Sequence, residues 1–193
     1  MLRKLLQRAT LFSLLHRIDE DLAETVRSKR CGQGEGEKKC GGPLHRATFE
    51  RKPRGGPDGL PESFSLRLGL CCGWCRRRTL PPSVLFWGRK VYWGAVILVL
   101  TTLTQQRCEG HSVRRIETLF GVYRSTVARW IAYFREVFPQ SESWRLLRGR
   151  LLPAVGTESI PRAVLARFFL LRNRADPEKQ LVACLRALRL GVF

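Results

Sequence analysis

Between Ser28 and Pro61 the chain offers almost nothing from which a hydrophobic core could be built. Its texture, as in RCGQGEGEKKCGG and RKPRGGPDGLP, is glycine, proline, lysine and arginine, the vocabulary of loops and turns. Such a segment orders only if something other than its own side chains holds it, and a metal ion clamped by cysteines is the economical staple. Cysteines stand where that staple needs them: Cys31 and Cys40 within the segment, and Cys71, Cys72 and Cys75 shortly after it.

Zinc takes four soft or borderline ligands in a tetrahedron, and two cysteines separated by two residues on a tight turn supply one edge of it. Cys72 and Cys75 have that spacing, with Gly73 allowing the turn. Cys31 with Cys40, or Cys40 with His45, supplies the other edge, and Cys71 competes with Cys72 as ligand. Gly32, Gly41, Gly42 and Gly73 leave backbone amides free to approach the thiolates. The expected cofactor is Zn2+; the alternative is a group of free thiols in a loop. Cys108 and Cys184 fall on helical stretches and are read as small buried apolar residues. Alternation of apolar and polar residues predicts short strands at 44–50, 64–70 and 76–80.

The remainder reads as helix. Leu2, Leu5, Leu6, Ala9, Leu15, Ile18, Leu22 and Val26 recur at steps of three and four, predicting one or two amphipathic helices over 2–27 that either pack on the domain or form a homodimer contact. The uncharged run Val91 to Gln106 is shorter than the ~18 residues that suggest a membrane span, and is read as a buried helix with no membrane partner. Further helices are expected at about 90–105, 112–120, 124–137, 141–150, 161–172 and 177–189, punctuated by Pro139, Pro153, Pro161 and Pro177.

Within that block, Val113, Ile116, Leu119 and Phe120 line one helix face, Gly121 sits where a left-handed turn residue belongs, and Val127, Ile131, Phe134 and Phe138 line the next face. That phasing is a helix-turn-helix, the unit that delivers its second helix to a major groove. Arg124, Ser125, Thr126 and Arg129 would face the DNA, where arginine reads guanine edges or holds phosphates. Trp130 is read as core. Tyr123 stands where a capping Ser, Thr or Asp is expected, so Ser125 could instead cap a helix starting two residues later.

Charge points the same way. The 193 residues carry a formal net charge of +19 and a pI near 10.9, a field that draws in a polyanion. Seven cysteines, an odd number bunched in one part of the chain, with no convincing signal peptide, argue against a secreted disulfide framework and for a reducing cytoplasm. The expected class is α+β, mostly α: an N-terminal amphipathic helix (1–29), a zinc-ribbon-like β segment (30–89), a helix-turn-helix domain (90–138) and a helical tail (139–193).

With these segments in view, the chain resembles bacterial insertion-sequence transposases that carry a zinc ribbon ahead of a helix-turn-helix. CGWCRRRT, PPSVLFWGRKVYWGAVILVL and LFGVYRSTVARW follow one another as they do there. It is similar also to short orphan transposase-like proteins in which CGGPLHRA, RKPRGG, LCCGWCRRRTLPPS and GRKVY recur ahead of a helical tail. The resemblance covers roughly residues 30–150. It implies Cys31, Cys40, Cys72 and Cys75 as the zinc ligands and 112–138 as the DNA reader, in a nucleoid-associated bacterial protein.

Two departures accompany it. The Cys31 to Cys40 spacing is wide, and the nuclease-like domain of full-length members has no counterpart: Glu142, Glu158, Asp176 and Glu178 lie in no strand context that could converge on metal ions. The expectation is a non-enzymatic protein that binds double-stranded DNA, neutralising phosphates through Arg76, Arg77, Arg78, Arg89 and Lys90 and contacting bases through Arg124, Ser125 and Arg129. An active recombinase and an RNA-associated zinc ribbon are the alternatives.

Overall fold

The computed structural model describes residues 2–34, 40–105, 120–151, 155–171 and 176–190. The fold is α+β and mostly α, as expected. Helices α1 (Leu2–Leu5) and α2 (Ala9–Ser28) open the chain. Strands β1 (Leu44–Arg46), β2 (Phe49–Glu50), β3 (Leu66–Arg67), β4 (Leu70–Cys72) and β5 (Arg78–Thr79) follow. Then come α3 (Gly94–Gln105), α4 (Arg124–Ala132), α5 (Glu142–Arg148), α6 (Arg162–Leu171) and α7 (Pro177–Leu190).

The strands are shorter than the alternation predicts, and β4 runs past the expected end at residue 70 to Cys72, yet β1 to β4 share one register. Leu44 pairs with Cys72, Arg46 with Leu70, Phe49 with Arg67 and Glu50 with Leu66. Between the two stretches the Ala47 amide donates to the Gly69 carbonyl at 2.8 Å, so the ladder pinches without slipping. Gly69 is required there because a Cβ would stand 2.6 Å from the Ala47 carbonyl oxygen. Strand β5 pairs with β4 on the other side. The far end of this long hairpin, around Arg54, reaches the helical core: the Arg54 amide donates to the Val91 carbonyl at 2.9 Å, and Arg54 bridges Tyr92.

Helix α3 is the hub. Gly94 to Thr102 are buried without interruption, so apolar residues surround the helix on every side, the pattern of a core helix. Gly94 lets its start approach the Val84 carbonyl, 2.8 Å from where a Cβ would lie. Around it pack Leu11, Phe12 and Leu15 of α2, the segment Val84 to Trp87, Val127, Trp130 and Phe134, and Leu181, Leu185 and Leu188 of α7. The apolar face of α2 is thus covered by the chain itself, the first of the two roles expected for it. Glu178 joins the two ends of the fold, accepting from Arg8 Nη1 at 2.9 Å and from the Thr10 hydroxyl at the start of α2.

The helix expected over 124–137 changes character part-way. It is α-helical to Ala132, widens into a π turn over Tyr133–Val137 and closes in a 3-10 turn at Phe138–Gln140. The rings of Phe134 and Phe138 then stand 5.1 and 6.3 Å from the Trp87 ring. Gly121 has φ +58, the left-handed turn the sequence implies. Tyr123 does precede α4 without a side-chain cap, and the helix starts at Arg124 rather than after Ser125. The first helix of the expected pair, with Val113, Ile116 and Leu119, lies outside the described residues, as does Cys108. Cys184 is fully buried in α7, and burial pushes its thiol well above its usual range.

One polar group crosses this core. Asp19, 2% exposed, accepts from the Ser83 hydroxyl, from the Val84 amide at 2.7 Å and from the Leu85 amide at 3.4 Å. Ser83 Oγ in turn accepts from the Phe86 amide at 2.9 Å, while the Ser83 carbonyl accepts from Arg189 Nε at 3.1 Å.

Candidate metal centre and basic cleft

Cys31, Cys40, Cys72 and Cys75 come together, with all four sulfurs within 4.8 Å of one another, a set that could hold a metal ion. Cys31 Sγ lies 3.7 Å from Cys75 Sγ and Cys40 Sγ 3.6 Å from Cys72 Sγ. Two turns present them. The wide spacing of the first pair closes through backbone hydrogen bonds between its two flanks: the Cys31 amide donates to the Gly42 carbonyl, the Gly41 amide to the Cys31 carbonyl, and the Cys40 amide to the Gln33 carbonyl. The second pair sits on a knuckle closed by the Arg76 amide on the Cys72 carbonyl at 3.1 Å.

Strand alternation decides between the adjacent cysteines. Cys72 falls on the buried side of β4 with Leu70, whereas Cys71 faces away and bonds the Arg76 carbonyl at 3.4 Å. His45, opposite Cys71 in the ladder, is exposed and outside the sulfur cluster. Gly42 is sterically obligatory, since a Cβ would stand 2.7 Å from Cys72 Sγ and 3.0 Å from the Trp74 ring. The Gly41 and Gly73 amides do not serve the sulfurs; they donate to the carbonyls of Cys31 and Pro43. The Trp74 amide does, at 3.4 Å from Cys72 Sγ.

The thiols divide sharply. For Cys72 the burial penalty is outweighed by the Cys75 and Trp74 amides and by hydrogen bonds from the Cys40 and Cys75 thiols, which hold it at about 6. Cys31 is pushed up to about 12: the Gln33 amide favours its thiolate, but burial and the other three thiols prevail. Four thiolates without a cation would repel one another, and a bound cation removes that conflict.

Each second cysteine is followed by a residue in the left-handed region, Gly41 at φ +62 and Arg76 at φ +61. Arginine there carries a Cβ that the conformation disfavours. Arg76→Gly is therefore expected to raise stability by about 1 kcal/mol, read as a higher denaturant midpoint at unchanged slope. An unchanged midpoint would show that the knuckle bears no such strain.

Of the residues expected to meet a polyanion, the cations Arg89, Lys90 and Arg129 and the hydroxyl residue Thr126 line a single cleft of about 480 Å³. Arg54, Val91, Tyr92, Tyr123 and Trp130 complete it. The sequence reading missed Arg54, carried in by the far hairpin end, and Tyr123, taken only as a missing cap. Arg129 donates to the Thr126 hydroxyl at 3.1 Å, and Lys90 Nζ stands 4.2 Å from the Tyr133 ring centre. Burial first, then the charges of Arg129 and Arg189, lower the Lys90 pKa. Between Glu62 and Glu109 the chain has no carboxylate at all. Arg124 and Ser125 are exposed on the first turn of α4 outside the cleft, and Arg76, Arg77 and Arg78 are exposed on the ribbon. Trp130 is buried, as read.

The four acidic residues weighed for catalysis, Glu142, Glu158, Asp176 and Glu178, stand at helix or 3-10 starts. Glu142 and Glu178 lie in first turns, and Asp176 accepts from the Glu178 amide at 3.0 Å. Among the described residues no helix is long and apolar enough to cross a membrane. In comparisons with known proteins, no family model, curated protein or solved structure matches the chain.

Proposed function

We propose that the chain is a zinc-stapled, non-enzymatic protein that binds double-stranded DNA. A tetrahedron with Zn–S bonds of about 2.3 Å has S–S edges of about 3.8 Å. The sulfur pairs at 3.7 and 3.6 Å need to move little to meet it. Zinc would be held by Cys31, Cys40, Cys72 and Cys75, and it would supply structure rather than reactivity, because four protein thiolates leave no open coordination position for substrate.

The observation that carries the nucleic-acid reading is the cleft. Arg54, Arg89, Lys90 and Arg129 converge there, and none forms an ion pair with a described residue. Cations held together without carboxylates repel, and a polyphosphate relieves the repulsion while releasing counterions; for Lys90 the Arg129 charge adds to burial in lowering its pKa. In this reading the cleft grips the backbone of a duplex whose edge lies along α4. Arg124 and Ser125 meet bases, and Arg129, anchored to Thr126, holds phosphate. Arg76, Arg77 and Arg78 add a more distant cationic surface.

The test is the salt dependence of duplex binding. Arg54→Ala with Arg129→Ala is expected to weaken a selected duplex roughly 10-fold or more and to flatten the slope of log K against log salt by about 2, near one per phosphate contact. Arg77→Ala should cost affinity evenly across sequences. An unaltered slope in the double variant would remove the cleft from the interface. Magnesium-dependent nicking by the purified protein would favour the recombinase alternative, and preference for folded RNA at matched salt would favour the ribonucleoprotein one.

A further inference from the structure

The zinc knuckle carries an aromatic ring that the duplex reading does not use. Trp74 lies between the two ligands Cys72 and Cys75 and is 66% exposed, whereas Trp87, Trp93, Trp130 and Trp144 are all 4% exposed or less. A large apolar ring left in water is costly, and this one stands on the hydrogen-bonded turn of the knuckle. Its amide is bound to Cys72 Sγ, and the indole rests against Gly42, where a Cβ would stand 3.0 Å from two of its ring carbons. The knuckle turn and Gly42 together set where the ring stands.

Cations frame it. The Arg30 guanidinium, tethered to the Gly41 carbonyl at 2.7 Å, stands 5.9 Å from the ring centre. Arg76, Arg77 and Arg78 follow on the same hairpin, all exposed and none in an ion pair with a described residue. An exposed aromatic ring beside Arg30 and next in sequence to three exposed arginines is the chemistry of a stacking site: the ring takes the face of a base and the arginines take the flanking phosphates. A paired base is already stacked on both faces, so only an unpaired nucleotide has a face to give.

We propose that Trp74 is the stacking platform of a second site, which binds unpaired nucleotides of single-stranded DNA or RNA. It rests on the reading that the ligand is nucleic acid but not on duplex recognition by α4. Charge selects a polyanion for this occupant: the chain carries a net charge of +19, and Arg76, Arg77 and Arg78 on the hairpin of the ring form no ion pair with a described carboxylate.

The other four tryptophans are buried, so the quencher-accessible part of the intrinsic fluorescence belongs to Trp74. The zinc-loaded full chain is titrated with oligo(dT), with oligo(U) and with a hairpin duplex, and both emission and affinity are followed. The expected result is quenching of the accessible fraction by the single strands. Trp74→Ala should bind oligo(dT) roughly 10-fold more weakly with its duplex affinity unchanged, while Trp74→Phe retains most of the affinity because it keeps a ring. The relative response to oligo(dT) and oligo(U) tells which strand is the better source.

Unquenched wild-type emission at saturating oligonucleotide would overturn the proposal without recourse to any variant. So would equal losses on single strand and duplex in Trp74→Ala protein that still holds its metal, or quenching by an arginine-binding acidic peptide but by no oligonucleotide. Duplex binding that fails while oligo(dT) still quenches would sink the α4 reading alone.

Discussion

Cys72→Ser, or removal of the ion by a chelator, is expected to dissolve the ribbon while the helices stay folded. Among the described residues, the apolar cluster beside the candidate metal centre has Cys31, Leu44, Leu70 and Cys72 as its buried members, with Val26 and Cys40 against it. Two of those buried residues, Cys31 and Cys72, belong to the sulfur cluster, so if that cluster holds a metal, taking the metal away also takes away the reason to bury them. Structural zinc sites contribute on the order of 10 kcal/mol of binding free energy, far more than so small a cluster supplies by burial. The helical core, by contrast, is built on α3 and shares no buried residue with that cluster.

Hydrogen exchange separates the two outcomes. Amides of the β1–β4 ladder should lose protection while those of α3 and α7 keep theirs, and metal analysis should fall from about one ion per chain to none. Retained ladder protection in metal-free protein would show that the hairpin stands unaided. Acid should act in the same direction as the chelator. Uptake requires the Cys31 proton, held up to about 12, to leave, so affinity rises with pH and falls as protons compete for sulfur.

Asp19→Ala is the substitution expected to cost the helical core most for its size. Three donors converge on one carboxylate, the Ser83 hydroxyl and the Val84 and Leu85 amides, and alanine would leave them buried without an acceptor. Loss of about 3 kcal/mol is expected, because orphaned buried donors cost more than a hydrogen bond contributes. Asp19→Asn keeps an acceptor for the amides and should cost about 1 kcal/mol or less. Equal losses in the two variants would mean that the charge, and not the hydrogen bonding, is what matters.

The pH dependence has a definite sign. Burial raises the Asp19 pKa above its ordinary value, outweighing the Ser83, Val84 and Leu85 hydrogen bonds and the Arg67 charge. A carboxyl that holds its proton more tightly folded than unfolded contributes stability at low pH, and loses it as pH rises through the folded value. Asp19→Asn should flatten that part of the stability profile.

Much of the metal centre was legible in the sequence, because thiol chemistry and glycine spacing constrain each other over short distances. Even the choice of Cys72 over Cys71 follows from strand alternation, once Leu70 is taken as the inward residue of the same strand. The buried α3 and the left-handed Gly121 were readable for similarly local reasons. What stayed hidden depends on distant parts of the chain. Arg54 reads as one more loop cation until the hairpin carries it to Tyr92, and Asp19 is indistinguishable from the exposed acids beside it until Ser83 folds beneath it. The π turn after α4 has no local signature, since its helical pattern continues unbroken to Phe138.

The shared register of the hairpin makes it a lever. One end is clamped at Leu44 and Cys72 beside the sulfur cluster, the paired stretch from Leu44 to Glu50 covers about 20 Å at ~3.3 Å per residue, and the loop beyond it sets Arg54 at the cleft. If metal at one end strengthens grip on a polyanion at the other, thermodynamics requires the reverse by the same factor. A chain seated on nucleic acid would then surrender its ion to a competing chelator more reluctantly than a chain free in solution.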